Sequence, residues 1–219
     1  TALTFKSSSA IVKALSLSFI MGQKYKVFSE KSLIHIIESS KKMFVDLKPA
    51  KIKNFQSFEE MTSHGEIIIE SNEPFKDLRR IFTDFEVISA AGGIVTSEDS
   101  ILFIHRLGFW DLPKGKVDQL EPIKDAAFRE VKEECGIAEG LKLIDEFKTT
   151  YHVYEYQGRS IFKKTHWFHM SLSKSVNLVP QLEEDIIECR WVYLEHIRPY
   201  LEKSFPLIKD LIIDFHQDK

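Results

Sequence analysis

Two long strand-like stretches, Lys142 to Tyr156 and Arg159 to Ser171, are separated only by Gln157-Gly158. A two-residue link ending in glycine is too short for a crossover, so the stretches must pair as an antiparallel hairpin. A sheet is therefore obligatory in this chain. Helical patterns lie on both sides of the hairpin in sequence. One runs from Pro122 to about Cys135, the other from Phe205-Pro206 through Phe215, with Leu207, Leu211, Ile212 and Phe215 along one face. Further strands are expected at Glu86 to Thr96, Ile101 to Ile104 and Glu188 to Tyr193, with a loop from Leu107 to Leu120. Strands flanked by helices imply an α/β fold, a mixed sheet sandwiched between helices, over residues 85–219.

Residues 1–84 read as a separate, small α+β region. Tyr25 to Phe28, Ser32 to Ile37 and Glu66 to Ile69 are short strand patterns, and Phe58 to Ser63 is a helical turn broken by His64-Gly65. Pro74 opens a helix over Phe75 to Phe85, with Leu78, Ile81 and Phe82 on one face. No chemistry is legible there, and the expected role is to pack against the rest, cover its site, form a homodimer contact or act as a separate ligand module. Ala10 to Met21 is apolar and Ser-rich, as in a targeting segment, but Lys13 interrupts it and no cleavage site follows. Met21-Gly22 is an alternative start, which would make residues 1–20 an extension.

Composition excludes several classes. Hydrophobic residues make up 43% and charged residues 29%, which argues against disorder, and no apolar window is long enough to span a membrane. A net charge of −3 gives no basic field for nucleic acid. Residues 1–84 hold 13 of the 30 basic but only 10 of the 33 acidic side chains, so the acid excess lies in the remainder. Cys135 and Cys189 are far apart in sequence without metal-ligand spacing, which predicts reduced thiols and a cytoplasmic setting.

The chemistry concentrates between Gly115 and Ile137. Pro122 suits the first helical position, and Glu121 complements the positive helix end. Ala127, Phe128, Val131 and Cys135 share a helical arc that can face a core, while Glu130, Glu133 and Glu134 project from an adjacent arc. Like charges at these spacings repel, so an ordinary wet face would interleave lysines. Three converging carboxylates suit a hard divalent cation, and Mg²⁺ in turn brings phosphate oxygens into its shell. Ahead of the helix, Ala90-Ala91-Gly92-Gly93 marks either a bulge or the close approach of another backbone or a ligand.

The segment resembles the Nudix box. Gly115, then Glu121, then Arg129-Glu130, Val131, Glu133-Glu134, Gly136 and Ile137 meet every fixed position. Seven specified residues at about 6% background give odds on the order of 10⁻⁹ per starting position. The resemblance extends from about Phe85 to the end and includes the lead-in Trp110 to Gly115. It implies a Nudix-like α/β/α sandwich and hydrolysis of a pyrophosphate bond in a nucleoside diphosphate linked to another group, with Mg²⁺ or Mn²⁺. It also implies Glu130, Glu133 and Glu134 as metal carboxylates and the Gly115 carbonyl as a further ligand. Arg129 would orient the cluster with Glu121 as its partner, and Gly136 would end the helix.

An attacking water must lose a proton. The candidates to take it are Glu130 and the acidic loop Glu183, Glu184 and Asp185, with Glu184 carried forward. Arg106, Lys114 and Lys116 bracket the loop that would meet phosphate. The hairpin adds His152, Lys163, Lys164 and His166, of which Lys164 is expected to bind substrate. Trp110, Trp167 and Trp191 are expected in the core.

The lead-in Leu112 to Lys116 is similar to that of members acting on dinucleoside polyphosphates or diphosphoinositol phosphates. ADP-ribose and nucleotide sugars remain alternatives. So does a non-catalytic nucleotide sensor, although an intact set of three glutamates favours the enzyme. The expected partner is a small nucleotide or polyphosphate, with neither membrane nor nucleic acid.

Overall fold

The computed structural model describes residues 24–39, 50–63, 65–172 and 176–218. The readings of residues 1–20 and of Met21-Gly22 lie outside them, as does His64. The chain divides into two compact units, one of residues 1–87 with 151–162 and one of 88–150 with 163–219. Among the described residues no helix is long and apolar enough to cross a membrane.

In the first unit, β1 (Lys24–Phe28) pairs antiparallel with β2 (Leu33–Glu38), which pairs parallel with β3 (Glu66–Ser71). The helix α1 (Phe55–Thr62) starts three residues before the expected turn, because Asn54 caps it: its Oδ1 accepts the Ser57 N–H at 2.8 Å. The helix α2 (Pro74–Ile81) stops short of Phe85. Val27, Ile34, Ile36, Phe58, Ile67, Leu78, Ile81 and Phe82 form this unit's core. The end of the long hairpin belongs here too, with Tyr151 and His152 of β8 (Leu141–Tyr156) beside Val27 and Phe28. At its tip Gln157 and Gly158 both have positive φ, 51° and 72°, as a two-residue hairpin turn needs.

The second unit is built on the order β10-β5-β4-β9-β8. Here β4 is Glu86–Ser97, β5 is Ser100–Arg106, β9 is Arg159–Leu172 and β10 is Ile186–Tyr193. The expected loop from Leu107 to Leu120 holds two short strands. β6 (Phe109–Asp111) pairs with β5, and β7 (Lys114–Lys116) pairs with β4. Strand alternation then separates two cores. Ala91, Val95, Leu102, Ile104, Phe168 and Met170 pack on α3 (Ile123–Cys135). Ile94, Ile101, Phe103 and Trp167 pack on α5 (Pro206–Gln217), which follows the short α4 (Arg198–Glu202). The result is an α/β/α arrangement around the sheet. Trp110 and Trp167 are buried, and Trp191 is half-buried against the α3 core.

Two expectations about α3 need adjustment. It begins at Ile123, so Pro122 is its N-cap rather than its first helical residue. Phe128 is only half-buried and packs at the edge of the core, which Ala126, Ala127, Val131 and Cys135 enter fully.

The paired glycines of β4 serve close approach. A Cβ on Gly92 would fall 2.4 Å from both Lys114 Cβ and Pro113 O, and one on Gly93 would fall 2.8 Å from Val131 Cγ2. β7 lies against β4 only because Gly92 has no side chain, and Gly93 makes room for Val131 of α3. Gly92→Ala should therefore destabilise the protein by about 1–3 kcal/mol, the usual range for overpacking. Urea unfolding followed by circular dichroism reads this, and an unchanged midpoint would show that β7 is not held as described.

Candidate active site

The site is assembled inside the second unit from α3, β5, β7 and the segment before β10. Arg129 organises it. Its Nε and Nη2 donate to the two carboxylate oxygens of Glu121, each at 2.9 Å, and Nη2 also donates to the Lys116 carbonyl at 3.0 Å. Its Nη1 donates to Glu130 at 2.7 Å and to Glu133 at 3.1 Å. One guanidinium thus ties the start of α3, the end of β7 and two box glutamates together, and these partners hold its proton more firmly than usual. Gly136 ends the helix with φ 67°.

The three box glutamates do not share one environment. Glu130 lies against β7 so closely that a Cβ on Gly115 would sit 2.0 Å from its Oε2. Glu134 is 1% exposed and accepts the Lys114 N–H at 2.8 Å. Glu133 points outward, half exposed, toward Arg129. The expectation of three carboxylates projecting together therefore resolves into two at the Lys114-Gly115 backbone and one at the rim. Helical spacing alone placed them on one arc, but β7 covers only the part of that arc that carries Glu130 and Glu134.

Burial sets the charge states. Burial is the main cause that lifts the Glu130 carboxyl above its ordinary value. The Arg129 charge opposes it, and the charges of Glu133 and Glu184 add to it. Burial likewise pushes Glu134 from 4.5 up to about 7, against the charges of Lys114 and Arg106 and the Lys114 N–H bond.

Cations line the other side. Arg106 Nη1 is 3.7 Å from Glu134 and its Nη2 is 3.9 Å from Glu184. Lys114 Nζ donates to buried Asp111 at 2.7 Å. The Lys116 side chain is exposed, and its carbonyl is what touches the site. Glu184 stands on the single 3₁₀ turn Leu182–Glu184, exposed, while Glu183 and Asp185 are exposed beside it. Lys163, rather than Lys164, is the hairpin lysine that senses this cluster. Burial, followed by the charge of Lys114, lowers its pKa to about 8, with Asp111, Arg106 and Glu134 also acting on it. Neighbouring residues of a strand face opposite sides, and Lys164 instead acts on His166. Counting β9 back from Trp167 puts Lys163 on the α5 face with it, so strand period alone could not have chosen Lys163 over Lys164.

Among the described residues no three His, Cys, Asp or Glu side chains gather tightly enough to enclose a metal ion. The available donors are nonetheless carboxylate and peptide oxygens at a cradle that a side chain on Gly115 would fill, a chemistry suited to Mg²⁺ or Mn²⁺ rather than to zinc.

The Glu134 shift yields a pH test. A carboxyl whose folded pKa exceeds its unfolded value favours the folded state fully below 4.5, and that benefit is lost as pH rises to about 7. In chelator, the protein should gain about 1–3 kcal/mol from this group as pH falls across that window. Glu134→Gln, which keeps an acceptor for the Lys114 N–H, should flatten the profile. Urea denaturation at pH 7 and at pH 5 measures it, and identical slopes for both proteins would mean Glu134 is not desolvated.

A family model described as "NUDIX domain" matches residues 87–211. The "m7GpppN-mRNA hydrolase dcap-2" of Caenorhabditis elegans is 28% identical over 123 residues, which is 50% of this chain and 15% of that protein. The "Nudix hydrolase 2" of Arabidopsis thaliana is 29% identical over 104 residues, 47% of this chain and 35% of that one. The chain thus spans well under half the length of these relatives. Among solved structures, a C. elegans Ap4A hydrolase binary complex aligns over 59% of this chain and 96% of its own, with 23% identity and a TM-score of 0.49. Since the family model covers more than half of the chain, including β7, α3 and the Glu184 turn, this protein belongs to the NUDIX family.

Proposed function

We propose that the second unit hydrolyses a phosphoanhydride bond in a nucleoside diphosphate linked to another moiety, with dinucleoside polyphosphates as the favoured class. The observation that carries this reading is the pairing of two desolvated carboxylates, Glu130 and Glu134, at the Gly115 backbone with Arg106, Lys114 and Lys163 beside them. Acid and base so arranged match an anhydride whose bridging phosphates carry several negative charges. The nematode relative's printed name, with its Gppp bridge, supports a nucleotide polyphosphate over a nucleotide sugar.

Glu130 and Glu134 would hold Mg²⁺ or Mn²⁺ together with the Gly115 carbonyl, with Glu133 at the outer side. A bound divalent cation supplies charge neutralisation at phosphate and a lowered pKa for water. Arg129 keeps Glu130 in place through its anchor on Glu121. Glu184, close enough to raise the Glu130 pKa yet open to solvent, is the group that takes the proton from water. Arg106 spans Glu134 and Glu184 and meets the phosphate chain, and Lys163 binds the chain further along. Lys114, already paired with Asp111, shapes the loop.

Incubation with Mg²⁺ or Mn²⁺ and a panel of dinucleoside polyphosphates, ADP-ribose, nucleotide sugars and capped RNA tests the assignment. Turnover should be absent in chelator and return with either metal. Tight binding without turnover across the panel would favour a sensor instead. Glu134→Gln should lose at least about 100-fold in kcat, some 3 kcal/mol of barrier.

Lys163→Ala should raise KM about tenfold with little change in kcat, as expected for a contact made equally in the ground and transition states. Lys164→Ala should leave both constants alone. For the unmodified protein KM should also climb as pH passes about 8, where Lys163 loses its proton, and this step should vanish in Lys163→Ala. Equal effects from the two lysine variants would show that Lys163 holds no special place at the site.

A further inference from the structure

The two cysteines, distant in sequence, meet in the fold. Cys135 is the last residue of α3, directly after Glu134, and is fully buried. Cys189 lies in β10 opposite Ile104, packs on the same core as Cys135 and keeps part of its surface in solvent. Its Sγ donates at 3.4 Å to the Glu134 carbonyl, the peptide oxygen directly before Cys135, so both thiols lie at the same end of α3. A buried thiol beside a partly open one is a geometry from which a disulfide closes without refolding, the accessible sulfur meeting the oxidant first.

We propose that Cys135 and Cys189 form a reversible disulfide on exposure to hydrogen peroxide, and that this modification displaces Glu134 and switches the site off. The Cys189 sulfur attacks one peroxide oxygen, the O–O bond breaks, and water leaves a sulfenic acid behind. The Cys135 sulfur then attacks the Cys189 sulfur, and the departing hydroxide takes the remaining thiol proton as a second water. Two thiols are oxidised and one peroxide is reduced.

The consequence for Glu134 follows from what can move. A disulfide brings the sulfurs to about 2.05 Å, well inside hydrogen-bond contact. Cys189 is fixed by the pairing of β10 with β5 from Glu188 to Tyr193. The last turn of α3 is held less firmly, by Val179 N–H on the Cys135 carbonyl at 3.0 Å and Gln181 N–H on the Glu134 carbonyl at 3.2 Å. That turn shifts toward β10, the Glu134 carbonyl loses its thiol donor, and the carboxylate moves relative to the Lys114 N–H. Gln181 also leads into the Glu184 turn, so both acidic groups are disturbed together. A displacement near 1 Å in such a site can cost about 100-fold in rate.

The effect on turnover rests on the hydrolase reading above, whereas the bond itself does not, and the experiment separates the two. The full chain is treated with hydrogen peroxide, digested without reductant and searched by mass spectrometry for a linked Cys135–Cys189 peptide. The rise in Tm produced by Mn²⁺ is measured before and after, alongside turnover on the best substrate of the panel. The expected result is a linked peptide, an Mn²⁺-dependent Tm rise cut to roughly half or less, and turnover down about tenfold or more, all restored by dithiothreitol. Cys189→Ser, which keeps a hydroxyl donor near the Glu134 carbonyl, should show normal turnover and no response to peroxide. The absence of a linked peptide overturns the proposal. So does a linked peptide with an unchanged Mn²⁺ response, or equal peroxide sensitivity in Cys189→Ser. A linked peptide with a weakened Mn²⁺ response, in a protein that turns over nothing in the panel, supports the thiol pair while removing the hydrolase reading.

Discussion

Two missing side chains control how this site is built. β7 reaches β4 because Gly92 has no Cβ, and Glu130 reaches β7 because Gly115 has none. Each contact closes a gap of well under one methyl group, so neither tolerates a substituent without moving backbone. Everything chemical in the second unit hangs on that double approach. It brings the Lys114 N–H to Glu134, the Lys116 carbonyl to Arg129 and the Asp111–Lys114 pair to the edge of the carboxylates. A core of small residues at Ala91, Ala126 and Ala127 lets α3 lie low enough to complete it.

Arg129 then converts proximity into order. Its five donors meet two carboxylate oxygens of Glu121, one oxygen each of Glu130 and Glu133, and one peptide carbonyl. Such a fork leaves Glu130 little rotational freedom, and it offsets the repulsion between neighbouring glutamates in the absence of a cation. Glu134 lacks this help. It is the most desolvated of the three, and burial lifts its carboxyl to about 7.

The two units carry different kinds of information. The first has a well-formed core and a capped helix but, among the described residues, no cluster resembling the acid–cation arrangement of the second. The long hairpin belongs partly to each, its outer end with the first unit and the remainder with the second. Lys163 stands where that division falls, and it is the hairpin cation whose charge is felt by the glutamate site.

The sequence by itself determined the hairpin at Gln157-Gly158, the box helix, its glycine terminus and the family, because these depend on local spacing and residue type. Turn chemistry, helical period and a seven-residue motif are all written within a short window of chain. It left the glycines of β4 open between a bulge and a close approach, since the partner strand lies beyond that window. Three relations needed the tertiary structure. The burial of Glu134 against the exposure of Glu133 depends on where β7 meets α3. The electrostatic link of Lys163 to this cluster depends on Lys114, Asp111, Arg106 and Glu134 meeting it from distant parts of the chain. The meeting of Cys135 with Cys189 depends on β10 returning beside the end of α3. In each case the deciding contact joins residues far apart in the chain, and no local rule of period or propensity acts over such separations.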